Sequence, residues 1–375
     1  KGNSSMNKIK LIGSIIVSII IALVSVNNVE ADVKNNKIVN YVIQNENLEF
    51  KSSTFQNEIG RISIKYSFET NGQKNYLFPT FDDINQALEV FKKQNKDFVN
   101  IIKEYSGLEE LEVNNLKEYE SALNSYLKEP FKEINYSENS NEVVLYRLFM
   151  EYYENQKENE EIINYINDNL DKDLSSDRYF LAMLPYTTPL VQNFSNEFKK
   201  EKIKQNIGIA VLSLDDSTMN EISYAYKYAN HRNYDYDYFD ADCTNFVSQI
   251  LESSGYEQDS VWWHYQDMMG VNYQSATWIN ANRFVNYFGT IYSSTSHYGF
   301  SAYLKAGDII ALDIDNTGHW NHCGFVIASD NYLTDGYYDY LVAQHTADYI
   351  AWTSSEINGW DNYAGGGNTY GVIRP

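Results

Sequence analysis

A chain of 375 residues is long enough for two domains, and a hydrophobic share of 43% excludes wholesale disorder. The formal net charge of -22 excludes nucleic acid and anionic surfaces as main partners, because phosphate binding needs Lys and Arg to displace counterions. The 33 tyrosines suit exposed strands and sugar- or peptide-facing surfaces, and equally suit a composition biased toward Asn, Lys and Ile.

The chain opens like an export signal. Lys8 and Lys10 form a charged start, Leu11 to Val26 an apolar core, and Val29-Glu30-Ala31 a small-residue cleavage site before Asp32. The apolar run is short for a membrane span. Residues 1–31 are therefore expected to be a cleaved signal, with Met6 as initiator, residues 1–5 upstream of it and no stable span after cleavage. The expected location is extracellular or wall-associated.

Residues 32–205 read as a mainly helical module with a small strand pair at its front. Ile62, Ile64, Tyr66 and Phe68 alternate with polar residues and run into an Asn71-Gly72 turn. From Asp82 the period becomes helical, with Ile84, Leu88, Phe91, Phe98 and Ile102 on one stripe and Thr80 or Asp82 as cap. Further helices are carried by Leu116, Tyr119 and Leu123, by Val144 and Leu148, and by Ile163, Ile166 and Leu170. The last, from Phe180 to Phe198, is interrupted by Pro185 and Pro189. Nothing in this half indicates a chemistry, so spacing, targeting, a wall or a pro-region all stay open.

A polar break predicts a linker over 206–217, and Thr218 with Glu221 predicts a capping box opening a helix. Next comes Asp242-Cys243-Thr244-Asn245-Phe246-Val247-Ser248-Gln249, with Phe246, Val247, Ile250 and Leu251 at helical spacing and Gly255 closing the helix. A thiol at a helix start lies in the positive end of the macrodipole, which favours the thiolate. Beyond it stand Trp262-Trp263, a helix from Thr277, strands at Ile309 to Ile314, His322 to Ala328 and Tyr340 to Thr346, a Gly365-Gly366-Gly367 loop and a last strand at Tyr370 to Ile373. Helices followed by an antiparallel sheet make an α+β order.

Cys243 is the candidate nucleophile, and such a thiol needs a base and a group to orient that base. His322 is the candidate base, with Gly324 leaving room on its face of the strand. Cys323 faces the opposite way, which argues against a Cys243–Cys323 disulfide. For the orienting group Gln344, His345 and Asp348 all stand open, and neighbouring strand residues point to opposite faces, so only one of Gln344 and His345 can serve.

The octapeptide around Cys243, the Gly307-Asp308 strand, the His322-Cys323-Gly324-Phe325-Val326 strand and Gln344-His345-Thr346 together resemble the amidase domain of bacterial surface proteins, a relative of papain-like NlpC peptidases and CHAP amidases. The resemblance covers residues 218–375. It implies a papain-like α+β domain, Cys243 as nucleophile, His322 as base, His345 as orienting residue, no cofactor, and hydrolysis of a peptide amide, with peptidoglycan as the expected substrate. The Cys243 backbone N–H is expected to help hold the oxyanion, and Tyr234, Tyr236 and Tyr238 are weighed as further donors against plain loop packing.

Weaker constellations are a calcium loop at Asp235, Asp237, Asp240 and Asp242, without the glycine and glutamate such a loop uses, and a zinc site at His319, His322 and His345. The alternative to an enzyme is a catalytically silent module whose cleft binds wall peptide or a host ligand. Trp262, Trp263 and Trp278 are weighed as cleft lining and as core.

Overall fold

A computed structural model describes residues 41–51, 60–128, 136–137, 140–206, 215–355, 357–360 and 368–375. The export signal over 1–31, most of the 206–217 linker and the Gly365–Gly367 loop lie outside the described residues.

The first half opens with strands β1 (Val42–Glu49), β2 (Ile62–Thr70), β3 (Gln73–Tyr76) and β4 (Pro79–Phe81), paired antiparallel around β2. Asn71 and Gly72 both adopt positive φ, as a two-residue hairpin turn between right-twisted strands requires. Helices α1 (Ile84–Gln94), α2 (Lys96–Ser106), α3 (Leu116–Leu127), α4 (Asn141–Asp168), α5 (Arg178–Met183) and α6 (Pro189–Asn206) follow. The expected cap at Thr80 or Asp82 is instead Asp83, whose carboxylate accepts from the Gln86 N–H at 3.0 Å. The stripe from Ile84 to Ile102 is two helices, because the chain leaves helical geometry at Asn95. Pro189 takes the first position of α6, where its missing N–H costs nothing.

The second half begins with α7 (Asp216–Tyr228), capped by Asp215 rather than Thr218, since the Asp215 carboxylate accepts from the Thr218 N–H at 2.8 Å. There follow α8 (Cys243–Ser253), strands β5 (His264–Gln266) and β6 (Asn272–Gln274), helices α9 (Ala276–Ile279) and α10 (Ala281–Phe288), β7 (Tyr292–Ser294) and α11 (His297–Ser301). Strands β8 (Ile309–Asp313), β9 (His322–Thr334), β10 (Tyr337–Gln344), β11 (Tyr349–Trp352) and β12 (Thr369–Ile373) complete the chain. The main sheet runs β11-β10-β9-β8-β12-β7, antiparallel at every pairing. The expected mixture of helices with an antiparallel sheet is what the fold shows.

The strand period of two divides the sheet's side chains between two cores. Ile309, Ala311, Cys323, Phe325 and Ala343 pack beneath α8 and α10 with Phe246, Val247, Trp262, Trp278 and Phe284. Ile310, Leu312, Val326, Val342 and Val372 face the other way, into a cluster that continues through Phe91, Phe149 and Tyr152 of the first half. The described residues, from Tyr41 on, accordingly form a single compact unit. Polar contacts cross the same boundary: Arg178 donates to the Tyr287 carbonyl at 2.6 Å, and Arg283 pairs with Glu158 at 3.3 Å and Glu161 at 2.5 Å. Among the described residues no helix is long and apolar enough to cross a membrane.

Candidate active site

The octapeptide folds as α8 because its apolar residues share one stripe and its polar residues each find a buried partner. Asn245 Nδ2 donates to the Asp237 carbonyl at 2.8 Å and its Oδ1 accepts from the Trp278 indole at 2.8 Å. Ser248 donates to the Trp278 carbonyl at 2.9 Å and accepts from the Trp262 indole at 3.0 Å, and Gln249 accepts from the Tyr224 hydroxyl at 2.9 Å. Trp262 and Trp278 are therefore core residues that fix the helix.

Cys243 stands in the first turn of α8, 5% exposed, and its thiol lines the same cavity as the His322 ring at the start of β9. Burial by itself pushes the thiol up, but the His322 charge and hydrogen bond, the Cys323 backbone N–H and the Thr244 hydroxyl together bring it down to about 7. Burial likewise works against a charge on His322, and the sulfur opposite, with hydrogen bonds to Cys243 and Gln344, raises the ring above its ordinary value. Each member of the pair thus favours the ionised form of the other. Both cysteines are free; Cys323 faces the α8 core, where burial holds its thiol well above the usual range.

His322 is oriented by Gln344, not by His345. Gln344 Oε1 accepts from His322 Nε2 at 2.9 Å and from the Trp360 indole at 2.8 Å, while Gln344 Nε2 donates to the Ala347 carbonyl at 3.1 Å. These three bonds fix the amide orientation, set the hydrogen on Nε2 and leave Nδ1 for the sulfur. The space beside Gly324 is where Trp360 sits: a Cβ there would meet the indole at 3.1 Å and Val342 at 3.0 Å.

The expectation for His345 is corrected by the strand period. His345 lies on the α8 face, stacked on Phe246 with ring centroids 3.9 Å apart and 1% exposed. Its Nδ1 lies 2.6 Å from Asp242 Oδ2, and its Nε2 donates to the Tyr228 carbonyl at 2.9 Å. Arg232 pairs with Asp242 and, at 3.0 Å, with Asp348, so Asp348 belongs to this group as well. Asp242 also accepts from the Phe239 N–H and from Asn245 Nδ2, both at 2.9 Å. His345, Arg232 and Asp348 therefore anchor the residue before Cys243 and hold the start of α8 in place. Arg232 escaped the sequence reading because nothing local marks a loop arginine whose partners lie ten and more positions away.

The weaker constellations are spread apart. Asp242 is spent on Arg232 and His345, Asp240 accepts from Ser121, and Asp237 accepts from Asn272 at 3.3 Å. His319 and His322 line one cleft and His345 lies on the other face; among the described residues no group of three His, Cys, Asp or Glu is placed to hold a metal. Tyr236 gives its hydroxyl to Glu252 at 2.6 Å, and Tyr234 and Tyr238 are exposed.

A cavity of about 140 Å³ opens onto Cys243 and His322. Gln344, Trp360, Asn321 and His319 line it from the second half, and Glu120, Arg147, Glu151 and Glu154 from α3 and α4. The sequence carried no sign of these four charged residues, since each reads as part of a solvated helix face.

Comparison with known proteins covers the same half. No solved structure matches the chain. A 125-residue stretch is 31% identical to the uncharacterized protein YhbB of Bacillus subtilis (strain 168), covering 30% of this chain and only 37% of that relative's length. Residues 215–369 match the family described as "Putative amidase domain", and Cys243, His322 and Gln344 all lie within this amidase-like segment.

Proposed function

We propose that this protein is an exported cysteine hydrolase that cleaves a peptide amide of cell-wall peptidoglycan, on a papain-like arrangement of helix-borne thiol and strand-borne imidazole. The observation that carries the reading is that Cys243 and His322 line one cavity, with His322 held from behind by Gln344 at 2.9 Å. A thiol lowered to about 7 beside a histidine raised above its ordinary value is the ion pair that thiol-dependent acyl transfer uses. The amidase-like match supports an amide as the bond broken. An apolar stretch behind Lys8 and Lys10 and the strongly acidic composition support export and a substrate other than polyanions.

In the first half-reaction the Cys243 sulfur attacks the carbonyl carbon. The His322 proton passes to the departing nitrogen as the carbon–nitrogen bond breaks, which leaves a thioester and a free amine. In the second, His322 takes a proton from water, the hydroxide oxygen bonds to the same carbon, and the carbon–sulfur bond breaks to regenerate the pair and give a carboxylic acid, which releases its proton to solvent. The Cys243 backbone N–H, at the start of α8, is suited to the oxyanion formed in both steps.

The test is incubation of purified wall with the protein and mass spectrometry of released fragments, which identifies both reaction and bond. Cys243→Ala is expected to release nothing while folding normally; undiminished release by that variant would overturn the proposal.

A further inference from the structure

The wall of the cleft opposite Cys243 comes from outside the amidase-like segment. Glu120 and Asn124 of α3 and Arg147, Met150, Glu151 and Glu154 of α4 face the cavity, whereas the match begins at residue 215. We infer that α3 and α4 form the substrate-selecting wall of this cleft, and that Glu120 and Glu154 receive a cationic amine of the peptide whose amide is cut.

The charges on the wall lead to this assignment. Among the described residues Glu120 has neither a hydrogen bond nor an ion pair. Burial, with Glu154 and Asp240, raises its carboxyl to about 7 against the opposing pull of Arg147 and Lys117. Among the described residues Glu154 pairs with Lys117 at the rim, 2.9 Å away, where both side chains are substantially exposed and the pair is worth little. Burial beside Asp313 works against a charge on Glu151, and its two oxygens are engaged by Thr317 and Asn321. An ammonium entering beside Glu120 relieves the repulsion between it and Glu154 and replaces water with a charge-assisted hydrogen bond.

A second feature of the same cavity points to a bound donor. His319 is 8% exposed and lines the cavity, and its buried Nδ1 has no hydrogen-bond partner among the described residues. Burial and the Arg283 charge lower its pKa to about 4, so the ring is neutral and offers a lone pair. Buried polar groups are normally satisfied, and an N–H of the substrate would satisfy this one.

The inference rests on the cleft being the substrate's, as proposed above, but its test does not require turnover. The full chain is treated with three methanethiosulfonates: neutral methyl, cationic trimethylammonioethyl and anionic sulfonatoethyl. Modification of Cys243 is followed by peptide mass spectrometry, and rates are normalised to those on 2-mercaptoethanol. The cationic reagent is expected to outpace the anionic one by about tenfold, and the ratio to fall at least about threefold in E120Q/E154Q and partly in E154Q. A ratio of one or less in the parent protein, or a ratio unchanged in the double variant, overturns the inference. If circular dichroism shows the double variant unfolded, the single variants E120Q and E154Q decide by the same criterion. A slow reaction with the neutral reagent would instead count against Cys243 as nucleophile, and the charge ratio would still be read.

Discussion

Cys243 shows how several modest effects outweigh one large one. Burial alone would raise the thiol, and an isolated buried cysteine is inert. The opposing contributions all come from groups within bonding reach: the His322 ring, the Cys323 N–H and the Thr244 hydroxyl, whose oxygen lies 3.6 Å from the sulfur. The sign follows directly. With the thiol lowered to about 7, the thiolate forms as pH rises through that value rather than near the ordinary value of about 8.5. Iodoacetamide alkylation of Cys243 is therefore expected to show a midpoint near 7, moving upward in His322→Ala; equal midpoints in the two proteins would remove His322 as the cause.

At the scale of the element, one strand end distributes two roles. The β10 residues Val342 and Gln344 share the face of His322, while Ala343 and His345 share the face of α8. The prediction follows from the faces. Gln344→Ala frees the His322 ring and is expected to lower kcat by about a hundredfold with little loss of stability. His345→Ala removes a buried partner of Asp242 and is expected to cost about 2 kcal/mol of stability, seen as a lower Tm, with a smaller loss of kcat. The reverse pattern, measured by steady-state kinetics and thermal melts, would restore His345 as the orienting residue. The octapeptide was legible because its periodicity is local. The choice between Gln344 and His345 was not, since alternation says only that they differ, and which face meets His322 depends on where α8 packs.

The whole molecule is joined by buried carboxyls as well as by a shared core. Glu151 of α4 and Asp313 of β8 both contact the hydroxyl of Thr317, which has one hydrogen to give. Asp313 also accepts from the backbone N–H groups of Thr317 at 2.9 Å and Gly318 at 3.0 Å, so the two acids share one hydroxyl donor while Asp313 has two further donors. Asn321, next to His322, donates to the other Glu151 oxygen at 2.6 Å. Burial raises both acids, Asp313 to about 7 and Glu151 well above its ordinary value. Raised acids stabilise the fold fully below their unfolded values near 4, and that contribution is lost as pH rises through the folded values. We expect Tm to drop by about 5 °C between pH 5 and pH 9, and the drop to shrink in Glu151→Gln, whose amide stays neutral. An unchanged slope in that variant would place the pH dependence elsewhere.

The sequence by itself determined the helix that starts at Cys243, the alternating strands, the pairing of Cys243 with His322 as candidates and the α+β order, because each of these follows from local spacing and period. Only the tertiary structure decided that Gln344 rather than His345 supports His322, that Trp360 fills the space Gly324 leaves, that Arg232 and His345 brace the helix start, and that α3 and α4 wall the cleft. The physical reason is the same each time: these contacts join residues far apart in the chain, and a side chain's partner across such a distance is set by how elements pack, which no local period encodes.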